Sequence, residues 1–221
     1  MTQPLSQFEK PSAEGYKGKR KLFLVPNYVL PPGTPEEGTA LVHRYWSEVR
    51  DAIGNLERSL GKISRVYHEM LYVEGDEALA MLQTLNPQGS AFIRALLGGS
   101  ATLELTEQRE VAEEHIDWQR ILSLGLMSRK VSEVALDGYT STLQLRFEKI
   151  AECIEETLLE GESAALFIRE DHRVQFPSDI QVFYVAPPAL DAMKRWMDYQ
   201  IQAEQAASQP PEPEPEPEPE S

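Results

Sequence analysis

The chain has 221 residues, 41% hydrophobic and 26% charged, a mixture that excludes wholesale disorder and fits one globular domain with polar ends. Its 21 basic and 36 acidic residues give a formal net charge of −15, which repels phosphate backbones over most of the surface and argues against generic nucleic-acid binding. A single cysteine, Cys153, excludes an internal disulfide and any zinc site built from several thiolates; with no apolar run approaching roughly 18 residues and no apolar leader core, the expectation is a cytoplasmic protein without membrane contact.

Residues 1–20 are polar and read as a flexible N-terminal arm. The basic run Lys17, Lys19, Arg20 and Lys21, with Tyr16 beside it, is the one place where contact with RNA or phosphate stays open, although short basic arms usually serve solubility. Leu22 to Val25, closed by Pro26, has the length and composition of a buried strand. After the loop VLPPGTPEEG, Leu41, Val42, Tyr45, Trp46, Val49, Ile53, Leu56 and Leu60 recur at helical steps, with Thr39 placed as a cap and Gly61 just past the end. Ile63 to Val73 is rich in β-branched and aromatic residues between Gly61 and Gly75, which predicts a second strand.

A helical middle spans 76–160. Asp76 caps a helix running to Leu85, and Gln88 to Leu97 forms a short one stopped by Gly98 and Gly99. Thr106 is placed to cap a longer helix whose stripe is Val111, His115, Trp118 and Leu122, ended by Gly125; Ser128 to Leu136 continues after a turn. Tyr139 to Glu160 is a further helix with Leu143, Phe147, Ile150, Ile154 and Leu158 on one face and Gly161 as terminator. Ala164–Ile168 and Ile180–Ala186 read as third and fourth strands. The separator REDHRVQFPSD is too short for a crossover helix, so these strands either pair as a hairpin-like unit or sit apart in a mixed sheet. Pro187 and Pro188 open a last helix carrying Met193, Trp196 and Met197. Residues 208–221 alternate Pro and Glu and form a disordered acidic tail; six of the negative charges lie from Glu204 onward, and the rest of the chain stays acidic without them. The fold expected for 21–207 is a single helix-rich α/β domain, with a small mixed sheet of about four strands flanked by long amphipathic helices.

Open α/β sheets bind ligands beyond the carboxyl ends of their strands. Here those ends carry Asn27 and Tyr28 after the first strand and Arg169, Asp171, His172 and Arg173 after the third; with His68 they form the candidate ligand site, Arg169, His172 and Arg173 being the groups suited to an anion. The same residues also suit a solvated turn of paired charges, and His68 the wet edge of a sheet. Because neighbours on a strand face opposite ways, His68 and Glu69 enter one site only across a bulge. The acidic helix with Glu104, Glu107, Glu110, Glu113, Glu114, His115 and Asp117 lacks a second Glu-x-x-His and reads as a solvated face, so no metal site is expected. The motifs G-x-G-x-x-G, G-x-x-x-x-G-K-[ST] and G-x-S-x-G are absent; no cofactor is expected, and Cys153 reads as an inert thiol.

The expected function is therefore that of a non-enzymatic α/β domain binding a protein partner or a small anionic ligand through its strand-end loops. Two alternatives stay open. One is a hydrolase or transferase in which His172 or His68 works with Asp171 or Glu69; the other is a structural assembly component using the acidic tail as a tether. The wide stripe from Leu41 to Leu60 also leaves a homo-oligomer open.

Overall fold

The computed structural model describes residues 13–208. Residues 209–221 of the expected acidic tail and the first twelve residues of the expected arm lie outside that range; Ser208 ends the last helix. Five strands, β1 (Arg20–Pro26), β2 (Ile63–His68), β3 (Thr102–Leu103), β4 (Ser163–Ile168) and β5 (Ile180–Tyr184), form one sheet in the order β3-β2-β4-β1-β5. Every pairing is parallel, so the sheet is not mixed, and the short β3 is a fifth strand beyond the four expected. The central strands β1 and β4 carry the apolar runs Leu22–Pro26 and Ala164–Ile168, as expected where a sheet is covered on both faces.

One face is covered by α1 (Glu36–Leu60), α2 (Gly75–Leu85), α3 (Ser90–Gly98) and α6 (Pro188–Ser208), whose Tyr45, Trp46, Leu82, Ile93 and Met193 pack with Phe23, Val66, Ala165 and Phe167 of the sheet. The other face is covered by α5 (Arg129–Thr157), whose Phe147, Ile150 and Ile154 meet Leu22, Leu24, Tyr67 and Leu166. Against α5 lies α4 (Arg109–Ser123), the two helices approaching closely where Gly138 meets the ring of Trp118. The α/β architecture with long amphipathic helices is thus as expected. No helix among the described residues is long and apolar enough to cross a membrane.

Several element bounds differ from expectation for physical reasons. The helix α1 begins at Glu36 behind Pro35, so Thr39 lies inside it rather than capping it. Ser128, not Tyr139, opens α5: its side chain accepts from the N–H of Val131 and the helix runs unbroken to Thr157. The segment between β4 and β5 passes from one side of β1 to the other without a helix. It buries its own Val174 and packs Phe176 on the α5-side core, so side chains of the loop fill the layer a crossover helix would occupy. The basic run is not a free arm. A short 3-10 turn, Ala13–Tyr16, sets Tyr16 edge-on to Phe183 at 5.2 Å; Arg20 pairs with Asp179 at 2.7 Å; and Lys21 is buried with its ammonium donating to the carbonyls of Lys19 and Gly161. Two of the four charges proposed for RNA or phosphate are therefore used within the fold.

Candidate functional site

At the carboxyl ends of β1, β2 and β4 lies a cavity of about 740 Å³. Its lining brings together Asn27, Tyr28 and Val29 after β1, His68, Glu69 and Met70 at the end of β2, and Arg169, Glu170 and Asp171 after β4. Leu85 at the end of α2, His115 and Gln119 of α4, and Tyr139 and Arg146 of α5 complete it. Of the seven residues expected to bind ligand, Asn27, Tyr28, His68, Arg169 and Asp171 meet here, whereas His172 and Arg173 do not. The His172 ring instead contacts Phe147 and Phe176 and its Nδ1 accepts from the N–H of Val174, so it closes the loop over the core; Arg173 is exposed beside a separate groove on α5.

The end of β2 explains how His68 and Glu69 reach one site without a bulge between them. The strand stops at His68, well short of Val73, because its partner β4 stops at Ile168 and the chain turns through Met70, whose φ of 65° is left-handed. The strained turn is fixed by the Met70 N–H donating to Glu107 at 2.6 Å. Strand β2 is also no edge, since it pairs with both β3 and β4, and His68 is fully buried.

His68 Nδ1 lies 2.6 Å from the backbone carbonyl oxygen of Glu69. A carbonyl only accepts, so Nδ1 carries the proton and Nε2 presents a lone pair. That Nε2 is buried and has no hydrogen-bond partner among the described residues. Burial lowers the His68 pKa to about 4, which keeps the ring neutral at neutral pH. His115 behaves alike: burial, reinforced by the nearby Arg146 charge, lowers it to about 4, while its ring stacks on Tyr139 at 4.6 Å and Nδ1 meets the Thr142 hydroxyl at 3.1 Å.

The carboxyl of Glu69 is pushed up to about 7, chiefly by burial and further by Glu107, against the opposing pull of Arg146, the Asn27 amide and Arg169. Asn27 Nδ2 donates to Glu69 at 3.4 Å, and Asn27 Oδ1 accepts from Asn86 at 2.7 Å, which fixes the amide orientation. Beneath them Arg146 forms a two-pronged pair with Glu107 at 2.6 and 2.8 Å, both side chains almost wholly buried. Its third nitrogen, Nη1, has no protein acceptor among the described residues. At the rim Arg169 clasps Asp171 through two bonds of 2.5 and 3.0 Å, so the paired-charge turn and a place in the cavity coexist in the same residues. Glu170 accepts from Tyr28 at 2.5 Å, from Tyr184 at 2.9 Å and from Lys194; these bonds outweigh burial and hold its pKa below the ordinary value.

Glu107, His115, Gln119, Tyr139 and Arg146 are the polar site residues that sequence reasoning missed, Glu107 and His115 having been read as part of a solvated face. A signal existed for Arg146: it falls between Leu143, Phe147 and Ile150 on the buried stripe of α5, where a charge requires a buried counter-ion. Of the rest of that acidic face, Glu110, Glu113, Glu114 and Asp117 are exposed as expected, whereas Glu104 is half-buried and pairs with Arg65. No group of three or more His, Cys, Asp or Glu among the described residues is arranged to hold a metal ion, and burial pushes the Cys153 thiol up to about 11. No family model, no curated protein and no solved structure matches the chain.

Proposed function

We propose that this protein is a binding domain for a small anionic ligand, held in the cavity at the carboxyl ends of β1, β2 and β4. The observation that carries the reading is a buried, unpartnered acceptor, His68 Nε2, on a residue lining the same strand-end cavity as the guanidiniums of Arg146 and Arg169. A buried polar atom without a partner is rare in a native interior and calls for an ordered water or a bound group. The cavity lies within the size range of small-molecule sites and occupies the position where parallel sheets present loop residues over a rigid scaffold.

The test is a thermal-shift screen of the full chain with small carboxylates, phosphates and sulfonates. A ligand present at a hundred times its Kd stabilises by about 2.7 kcal/mol, which raises Tm by roughly 5–10 °C in a domain of this size. The shift is expected to fall in Arg169→Ala, at the rim of the cavity, and to persist in Arg173→Ala, outside it. A screen without hits, or hits indifferent to Arg169→Ala, contradicts the reading.

A second reading, acid–base catalysis, is favoured by one observation: Glu69, with a carboxyl near pH 7, lines a cavity together with two neutral imidazoles. It differs from the rival expected from sequence, because His172 takes no part and no imidazole in the cavity is hydrogen-bonded to a carboxylate side chain. Turnover of a screened ligand, abolished in Glu69→Gln while binding survives, distinguishes it from binding alone.

A further inference from the structure

Two walls of different chemistry rise from the strand ends. On the α5 side stand Arg146, Tyr139, His115 and Gln119, all polar or charged. The apolar lining, Val29, Met70 and Leu85, comes from the loop after β1, the turn after β2 and the end of α2, the helix that covers the opposite face of the sheet. His68 and Glu69 end β2, the strand between these two coverings. The charges of the polar side are already balanced, Arg146 by Glu107 and Arg169 by Asp171. One added negative charge can share the unused donors of two guanidiniums, whereas the second charge of a dianion finds no further cation and adds to the repulsion from Glu107 and Asp171. The lining contains no glycine and no first turn of a helix, the two sources of the backbone N–H groups that usually cradle phosphate. His68 Nε2 requires a donor; because His68 is closed to solvent, a ligand donor reaches it only as the neighbouring side chains shift, and the lone pair cannot be satisfied by the ligand's own anionic group.

We infer that the cavity takes a 2-hydroxy or 2-amino carboxylic acid with an apolar side chain: its carboxylate meets Arg146 and Arg169, the adjacent hydroxyl or amine donates to His68 Nε2, and the side chain packs on Val29, Met70 and Leu85. This rests on the reading of the cavity as a small-anion site and adds its ligand class. The carboxylate and its neighbouring donor are common to both sources, and Glu69 separates them, since an ammonium gains from a carboxylate beside it and a hydroxyl does not.

The experiment is isothermal titration calorimetry of the full chain near neutral pH with 2-hydroxy-4-methylpentanoate, leucine, 4-methylpentanoate and inorganic phosphate. At least one of the first two is expected to bind roughly tenfold or more tighter than 4-methylpentanoate, which differs only in lacking the donor, and phosphate is expected to give no binding. If leucine is the ligand, Glu69→Gln weakens it; if the hydroxy acid is, its binding survives that change. Equal affinity for 4-methylpentanoate overturns the inference, as does failure of all four probes. Phosphate binding that is lost in Arg169→Ala also overturns it while leaving the small-anion reading standing, and only the wider screen failing with it removes both.

Discussion

Glu107 and Arg146 are each within a few per cent of complete burial, so neither charge has water to fall back on. Replacing Arg146 by methionine leaves a lone carboxylate in the interior and is expected to destabilise the fold by about 3–5 kcal/mol, whereas changing both partners to apolar residues of similar volume should cost far less. Urea denaturation of the two single variants and the double variant reads this as a double-mutant cycle. Glu69 makes a pH-dependent prediction. Its carboxyl ionises near pH 7 when folded but near 4.5 as a free side chain, so between these values the folded state holds a proton that the unfolded state has released. Its contribution is therefore present below pH 4.5 and lost as pH rises through 7, a change on the order of 3 kcal/mol. Accordingly, Glu69→Gln should gain stability relative to the native protein as pH rises from 4.5 to 7. The histidines act in the opposite sense: His68 and His115 titrate near 4 when folded against 6.5 when free, so the stability they confer is present above pH 6.5 and lost as pH falls through 4. Chemical denaturation across this range, for both proteins, separates the two contributions.

The packing of α4 on α5 sets where His115, Gln119 and Tyr139 stand, and it depends on close approach at Gly138. A Cβ there would lie 2.3 Å from the Trp118 ring, too close for any real contact. Gly138→Ala should push the helices apart, destabilise by about 1–3 kcal/mol and weaken ligand binding with it. Gly54, inside α1, has open space around its Cβ position and an ordinary helical backbone, so Gly54→Ala should stabilise by roughly 0.4–1 kcal/mol and leave binding unchanged. Thermal melts of the two variants give opposite signs. At this scale the sequence was most legible where one face carries all the apolar residues, as in α1 from Val42 to Ile53 and α5 from Phe147 to Ile154. It was least legible where a bound depends on a distant neighbour. Nothing within YHEMLYV says that β2 stops at His68; that follows from the length of β4 and from Glu107 capturing the Met70 N–H. The two-residue β3 carries too few residues to show any alternation.

For the molecule as a whole, the strand-end rule picks out five of the fourteen residues that line the cavity. It holds because the sheet is parallel, which places the carboxyl ends of β1, β2 and β4 on one rim. The same rule misplaced His172 and Arg173, since a loop that must cross β1 turns its later residues toward the core on the α5 side. Residues contributed by the helical middle were hidden for another reason: a charged residue on an amphipathic helix is solvated by default, and only its tertiary partner, here Glu107 for Arg146, shows otherwise. The proposed binding rests above all on the unpaired lone pair at the end of β2. The most direct measurement is the 15N shift of the His68 ring followed during titration with a ligand taken from the screen. A Nε2 resonance that moves as the lone pair accepts a hydrogen bond, with the ring of His172 unchanged, is the predicted result; saturation of the protein with the His68 signal unmoved would contradict it.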